Sequence, residues 1–205
     1  MIQALIGLIL LTGPTAEMKV MVGGQQVGDA WLTDKLTPGG GKKTQTKMAL
    51  IYNNQKATVI EEVEYAADAS PVRKYLRKDG PDGQQMRIAT FSSGAAHVTD
   101  ESGGQRKTSE VPVPKGADVR AASEFWFFKT QPARGATCNH YRFDMDKLAW
   151  VETKVKYVGP AQMVSGGKKY TTHLITIEGL GKAWLTDEGK PLRVEVGKLQ
   201  LIRKP

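Results

Sequence analysis

Cys138 and His140 stand two apart in a stretch of strand-like composition, so their side chains share one face. A thiol beside an imidazole is the start of a nucleophile or of a metal site. Nothing nearby completes either. Cys138 is the only cysteine, His97 and His173 are the only other histidines, and Asn139 is the one other notable neighbour. Zinc needs several ligands at defined spacing, and acyl transfer needs an oxyanion hole. The pair is therefore expected to be packed, with no metal and no cofactor, and a lone cysteine rules out an intramolecular disulfide.

Other reactive patterns fail in the same way. No G-x-S-x-G string raises a serine between strand and helix. Gly39-Gly40-Gly41-Lys42-Lys43-Thr44 looks ready to cradle a phosphate, but Leu36 occupies the leading glycine position of a P-loop and Lys43 its Ser or Thr position. A strand rather than a helix follows, so this is a hairpin tip. Glu61, Glu62 and Glu64 would need partners across a cleft to act as acid and base. These failures favour a non-enzymatic protein.

Charge narrows the partners. Twenty-nine Lys and Arg against twenty-one Asp and Glu give a formal +8 over 205 residues. The cations fall in pairs beside turns, at Lys42-Lys43, Arg73-Lys74, Arg77-Lys78, Arg106-Lys107 and Lys168-Lys169. This is a solvated rim without the aromatic interleaving of a nucleic-acid module, so no nucleic acid is expected. An anionic envelope component suits the charge better.

The address points the same way. Ile2 to Leu11 is an apolar run broken by Gln3 and Gly7, followed by Thr12-Gly13-Pro14 and the small pair Thr15-Ala16. It falls short of the roughly 20 apolar residues that span a bilayer. We read residues 1–16 as a signal peptide and 17–205 as one domain, although no Lys or Arg precedes the run and Pro14 is an awkward neighbour for a cut after Ala16. The expected product is soluble and exported, periplasmic or extracellular. It has no stable transmembrane anchor and no cysteine near the cut for a lipid.

The elements that must position any site are mostly strands. From Glu17 the dominant period is two, with turn signals every ten or so residues, which is the pattern of a large antiparallel sheet. Asp100 to Gln105 reads as a polar loop, and Val111-Pro112-Val113-Pro114 as an edge or extended connection. One helix is expected over residues 118–129, capped by Asp118 and stopped before Pro132, with Val119, Ala122, Phe125 and Trp126 on one side. The Phe125-Trp126-Phe127-Phe128 cluster reads first as core packing.

One internal similarity stands apart. Gly28-Asp29-Ala30-Trp31-Leu32-Thr33-Asp34 is nearly repeated by Gly181-Lys182-Ala183-Trp184-Leu185-Thr186-Asp187. Ala and Leu share one strand face in each copy, Trp and Thr the other. Either two strands of similar composition coincide, or both tryptophans line one surface.

The order of elements resembles the periplasmic half-barrel proteins of the lipoprotein-carrier superfamily, and looks closest to their uncharacterised relatives. The residues that carry this are Gly24 to Gly28, Asp118 to Phe128 leading to Arg134-Gly135, Gly159 to Gly167, and the closing string Ala183-Trp184-Leu185-Thr186-Asp187-Glu188-Gly189-Lys190-Pro191-Leu192-Arg193-Val194. The resemblance implies a mainly β fold, a large curved antiparallel sheet or half-barrel wrapped over one principal short α-helix. It also implies a hydrophobic concavity in which carriers of this shape bind lipid chains. Trp31, Trp184, Phe125 and Trp126 are the residues expected to line it and hold a lipid or other amphipathic ligand. The alternative is a structural or protein-interaction module of the envelope, with a filled core and no small ligand.

Overall fold

A computed structural model of the chain describes residues 16–52, 54–92, 94–120, 131–187 and 189–204. Alternating side chains fold into fourteen strands, as the period of two requires. The first eight are β1 (Ala16–Val22), β2 (Gln25–Leu36), β3 (Lys42–Tyr52), β4 (Gln55–Tyr65), β5 (Pro71–Gly80), β6 (Gly83–Ser92), β7 (Ala95–Ser102) and β8 (Gln105–Pro112). The remaining six are β9 (Thr137–Asp144), β10 (Ala149–Ser165), β11 (Lys168–Ile177), β12 (Gly181–Leu185), β13 (Pro191–Val196) and β14 (Leu199–Arg203).

All fourteen join one antiparallel sheet in the order β8-β7-β6-β5-β4-β3-β2-β1-β14-β13-β12-β11-β10-β9. The chain starts in the middle, meanders out to β8, crosses to the far edge at β9 and meanders back until β14 pairs with β1. Met18 lies opposite Arg203 and Val22 opposite Leu199 in that central pair. The sheet does not close by hydrogen bonds, since β8 and β9 are its two edges. β8 is almost wholly exposed and carries Arg106, Lys107 and Glu110, charges that discourage pairing with another chain.

One face of the sheet holds the core. Met18, Val20, Ala30, Met48, Val194 and Leu201 are fully buried there, with Leu32 and Ala183 beside them. Gly28 and Gly181, which open the two near-repeats, mark close approaches: a Cβ at Gly28 would overlap the Ala49 carbonyl, and one at Gly181 the Glu195 carbonyl. The near-repeat thus extends to backbone packing, with glycine where the neighbouring strand comes nearest.

Near its turn the edge hairpin of β9 and β10 is covered on both faces, while Asn139, Glu152, Lys154 and Lys156 further along are exposed. Cys138 pairs with Val155 and His140 with Thr153 on one side, while Phe143 pairs with Trp150 on the other. Val155, Thr153 and His140 are buried, and so is Phe143. The Phe143 side meets Phe91 of β6: ring centroids are 5.6 Å apart for Phe91 and Phe143, and 5.4 Å for Phe91 and Trp150. The sheet therefore rolls like a scroll, with its last hairpin tucked against the inner face of β5 and β6. Pro160 lies within β10, just past a register shift between Tyr157 and Gly159, a bulge that accommodates a residue without an N–H.

Among the described residues the expected helix is not found. No described residue is helical; residues 121–129 of that segment lie outside the described residues, Phe125 and Trp126 among them. Asp118 does accept the Arg120 N–H at 3.1 Å, as a cap would. Its carbonyl accepts the Tyr141 N–H of β9 at 2.6 Å. The start of the segment is thereby paired to a strand edge. No helix of the described residues is long and apolar enough to cross a membrane.

Candidate functional site

Trp31 and Trp184 occupy equivalent places in β2 and β12, but not the places a concavity needs. Their neighbours Ala30, Leu32, Ala183 and Leu185 are in the core, so by alternation both indoles face outward. Four strand spacings separate β2 from β12, about 19 Å along the sheet. Each ring lies under cations: Lys47 Nζ is 5.7 Å from the Trp31 centroid, and Lys182 Nζ and Arg193 Cζ are 5.0 and 5.5 Å from that of Trp184. The two tryptophans are not brought together, and they do not line the inner face.

Polar groups line part of the inner face instead. Glu61 of β4 and Lys74 of β5 form an ion pair at 2.7 Å with both side chains under a tenth exposed. Lys74 Nζ also donates to the Phe143 carbonyl at 3.1 Å. Arg87 of β6 holds Asp100 of β7 at 3.0 Å and donates to the Met145 carbonyl at 2.6 Å. Lys78 reaches Asp146 in the β9–β10 turn at 2.9 Å. Three cations on the inner face of β5 and β6 thus grip the backbone and the turn of the edge hairpin.

Cys138 and His140 share a face of β9, as their spacing predicts. Burial pushes the Cys138 thiol up, helped by the Asp118 carboxylate. Burial likewise pushes His140 down; Arg142 adds to this and Asp118 opposes it. Both shifts favour neutral forms, the opposite of an activated thiolate–imidazolium pair. Among the described residues no three His, Cys, Asp or Glu side chains gather to hold a metal.

A second arrangement escaped the sequence. Tyr157 Oη lies 3.0 Å from His173 Nδ1, and His173 Nε2 lies 2.6 Å from Asp187 Oδ1. With the Nε2 proton given to the carboxylate, Nδ1 accepts from the tyrosine hydroxyl. The order resembles a catalytic relay, but it ends in the core: Tyr157 is 7% exposed, which leaves its hydroxyl no room for a substrate. No sequence motif signals it, because the partners sit 14 and 16 residues away from His173 and meet only through the β10–β11–β12 ladder.

Asp187 stands at the mouth of the scroll. A cleft of about 540 Å³ opens there between the β10–β11 turn, the β12–β13 turn and the end of β14. Lys168, Lys190, Arg203 and Lys204 line it together with the hydroxyls of Ser165, Thr171 and Thr186.

No family model and no curated protein matches the chain. Among solved structures it is similar to a β-barrel-like protein of the domain of unknown function DUF1849 from Brucella abortus, with a TM-score of 0.65 and 14% identity over 96% of each chain. A DUF1089 family protein from Pseudomonas aeruginosa aligns with a TM-score of 0.45 and 10% identity, over 82% of this chain and 90% of that one. The first likeness supports a mainly β, β-barrel-like fold. It does not extend to the lipoprotein-carrier superfamily specifically.

Proposed function

We propose that this chain is a non-enzymatic, exported envelope protein that works through its surface and its mouth rather than by carrying an acyl chain inside. The observation that carries this reading is the seating of the β9–β10 hairpin on the inner face, gripped by Lys74 and Arg87 through the carbonyls of Phe143 and Met145. An acyl chain needs an apolar, unoccupied wall. Charges there would have to be desolvated without compensation by a hydrocarbon ligand. Of the two functions open to the sequence, the filled structural or interaction module therefore has the better support, with export resting on residues 2–16.

Native mass spectrometry of the protein recovered from the envelope of its own host tests this. The expected result is a bare chain of mature mass, together with no fluorescence gain from the uncharged apolar probe N-phenyl-1-naphthylamine. A lipid retained at one per chain would overturn the filled-core reading, and recovery of uncleaved protein from the cytoplasm would overturn export.

A further inference from the structure

We propose that the cleft at the mouth of the scroll binds a phosphate-bearing sugar group. Its cations come from separate segments that only the fold unites. Lys168 opens β11, Lys190 precedes β13, and Arg203 ends β14. Arg203 lies two residues beyond the fully buried Leu201, so its side chain is on the core face of the sheet, where the apolar interior gives way to solvent. It is half-buried, and among the described residues neither its side chain nor that of Lys168 has an ion-pair or hydrogen-bond partner. A guanidinium placed on the inner face without a carboxylate leaves its paired donors free for an anion, and its planar fork fits two phosphate oxygens at once.

Among the described residues Asp187 is the carboxylate that lines the cleft; it accepts from His173 at 2.6 Å, keeps its negative charge, and is outnumbered there by Lys168 and Arg203. Lys204 is balanced by Asp29 at 3.2 Å and Glu17 at 3.5 Å, so it adds little net charge. Thr186 Oγ1 accepts the Lys190 N–H at 3.2 Å, which leaves its own proton to donate into the cleft. A volume of about 540 Å³ exceeds what a bare phosphate needs, and the Tyr170 ring and further hydroxyls on its wall suit a sugar better than a hydrocarbon. The phosphate can come from a soluble sugar phosphate or from a phosphorylated headgroup at a membrane; the recognised chemistry is the same.

This inference goes beyond the surface reading and does not depend on it: a chain found with lipid inside would end that reading and leave the mouth unchanged. The test is calorimetry on the full chain with glucose phosphate and with glucose. Glucose phosphate is expected to bind and glucose not to. Arg203→Gln should weaken binding roughly tenfold or more, the value of one charge-assisted hydrogen-bonding group. Lys168→Gln should weaken it less, and Arg106→Gln with Lys107→Gln on the distant β8 edge should leave it unchanged. Arg203→Lys, which keeps the charge but loses the fork, should fall between. Circular dichroism checks folding, and Lys168→Gln, at an exposed site, carries the test should Arg203→Gln unfold. Vesicles of phosphatidylcholine containing phosphatidylinositol phosphate separate the sources: capture that free glucose phosphate reverses marks a headgroup, and binding of the free sugar phosphate alone marks a soluble ligand. Absence of binding to either probe, or equal loss in the β8 variant, would overturn the proposal.

Discussion

Lys74 Nζ bridges the Glu61 carboxylate at 2.7 Å and the Phe143 carbonyl at 3.1 Å, and so ties the middle of the sheet to its far edge. Glu61 and Leu76 are opposite one another across β4 and β5, and Lys74 lies two residues along on the same face. The bridge is buried, so neither charge is screened by water.

Removal of one partner strands the other. Glu61→Ala is expected to cost about 3–5 kcal/mol, since an unpaired ammonium stays buried. Glu61→Met with Lys74→Met should recover most of that loss, short of the bond to Phe143. Urea unfolding of the two variants checks this; a single substitution as mild as the double one would contradict a buried, coupled pair.

The aromatic contact beneath the bridge makes a separate prediction. Phe143 and Trp150 stack edge to face at 5.3 Å and both meet Phe91. Phe143→Ala should cost about 3–5 kcal/mol and red-shift tryptophan emission as Trp150 gains water. Hydrogen exchange should quicken first in β9 and β10, ahead of β1 and β14. Uniform acceleration across the sheet would mean the hairpin is not a separately docked edge.

Much of the sheet was legible because alternation reports a half-buried strand directly. Ala30 and Leu32 on one face with Trp31 on the other is what the repeat predicts. β8 was missed because Arg106 to Glu110 has no apolar alternation to detect: an exposed edge strand buries neither face. Pro160 sits inside β10 because a bulge beside it makes proline tolerable, a context that sequence does not display. The relay and the mouth were invisible for another reason. Tyr157, His173, Asp187 and Arg203 are unremarkable singly, and only the wrapping of β10 to β14 assembles them. The tryptophans were placed on equivalent faces correctly, but period two cannot say which face is inner.

Glycine at the head of each near-repeat is open to direct test. Gly28→Ala and Gly181→Ala each push a methyl into a neighbouring strand's carbonyl, so the backbone must move. Each should cost about 1–3 kcal/mol, the range for overpacking. Gly104→Ala, at a turn where a Cβ meets nothing within 4 Å, supplies the comparison for backbone conformation alone, since its φ is +76°. A thermal melt in which Gly28→Ala matches the wild type would show that the close approach is not fixed.

The last prediction concerns pH and follows from His140. Its folded-state proton affinity is lowered, chiefly by burial and further by Arg142, while Asp118 acts against both. In the unfolded chain it titrates near the ordinary value of about 6.5. Between those two points the unfolded state binds more protons than the folded one, so stability rises with pH across that window. Its stabilising contribution is complete above about 6.5 and is lost as pH falls through the lowered folded value. Asp144 behaves alike in a separate, more acidic window: burial raises it, but the Lys147 N–H, Arg142 and the Asp146 N–H together hold it below the usual carboxylate range. The two effects therefore separate on the pH axis. Urea midpoints of the wild type and His140→Phe, measured from about pH 5 to about pH 8, should diverge in slope, with the wild type losing stability faster on acidification. Parallel lines would show that His140 takes up its proton in the folded state as readily as in the unfolded chain.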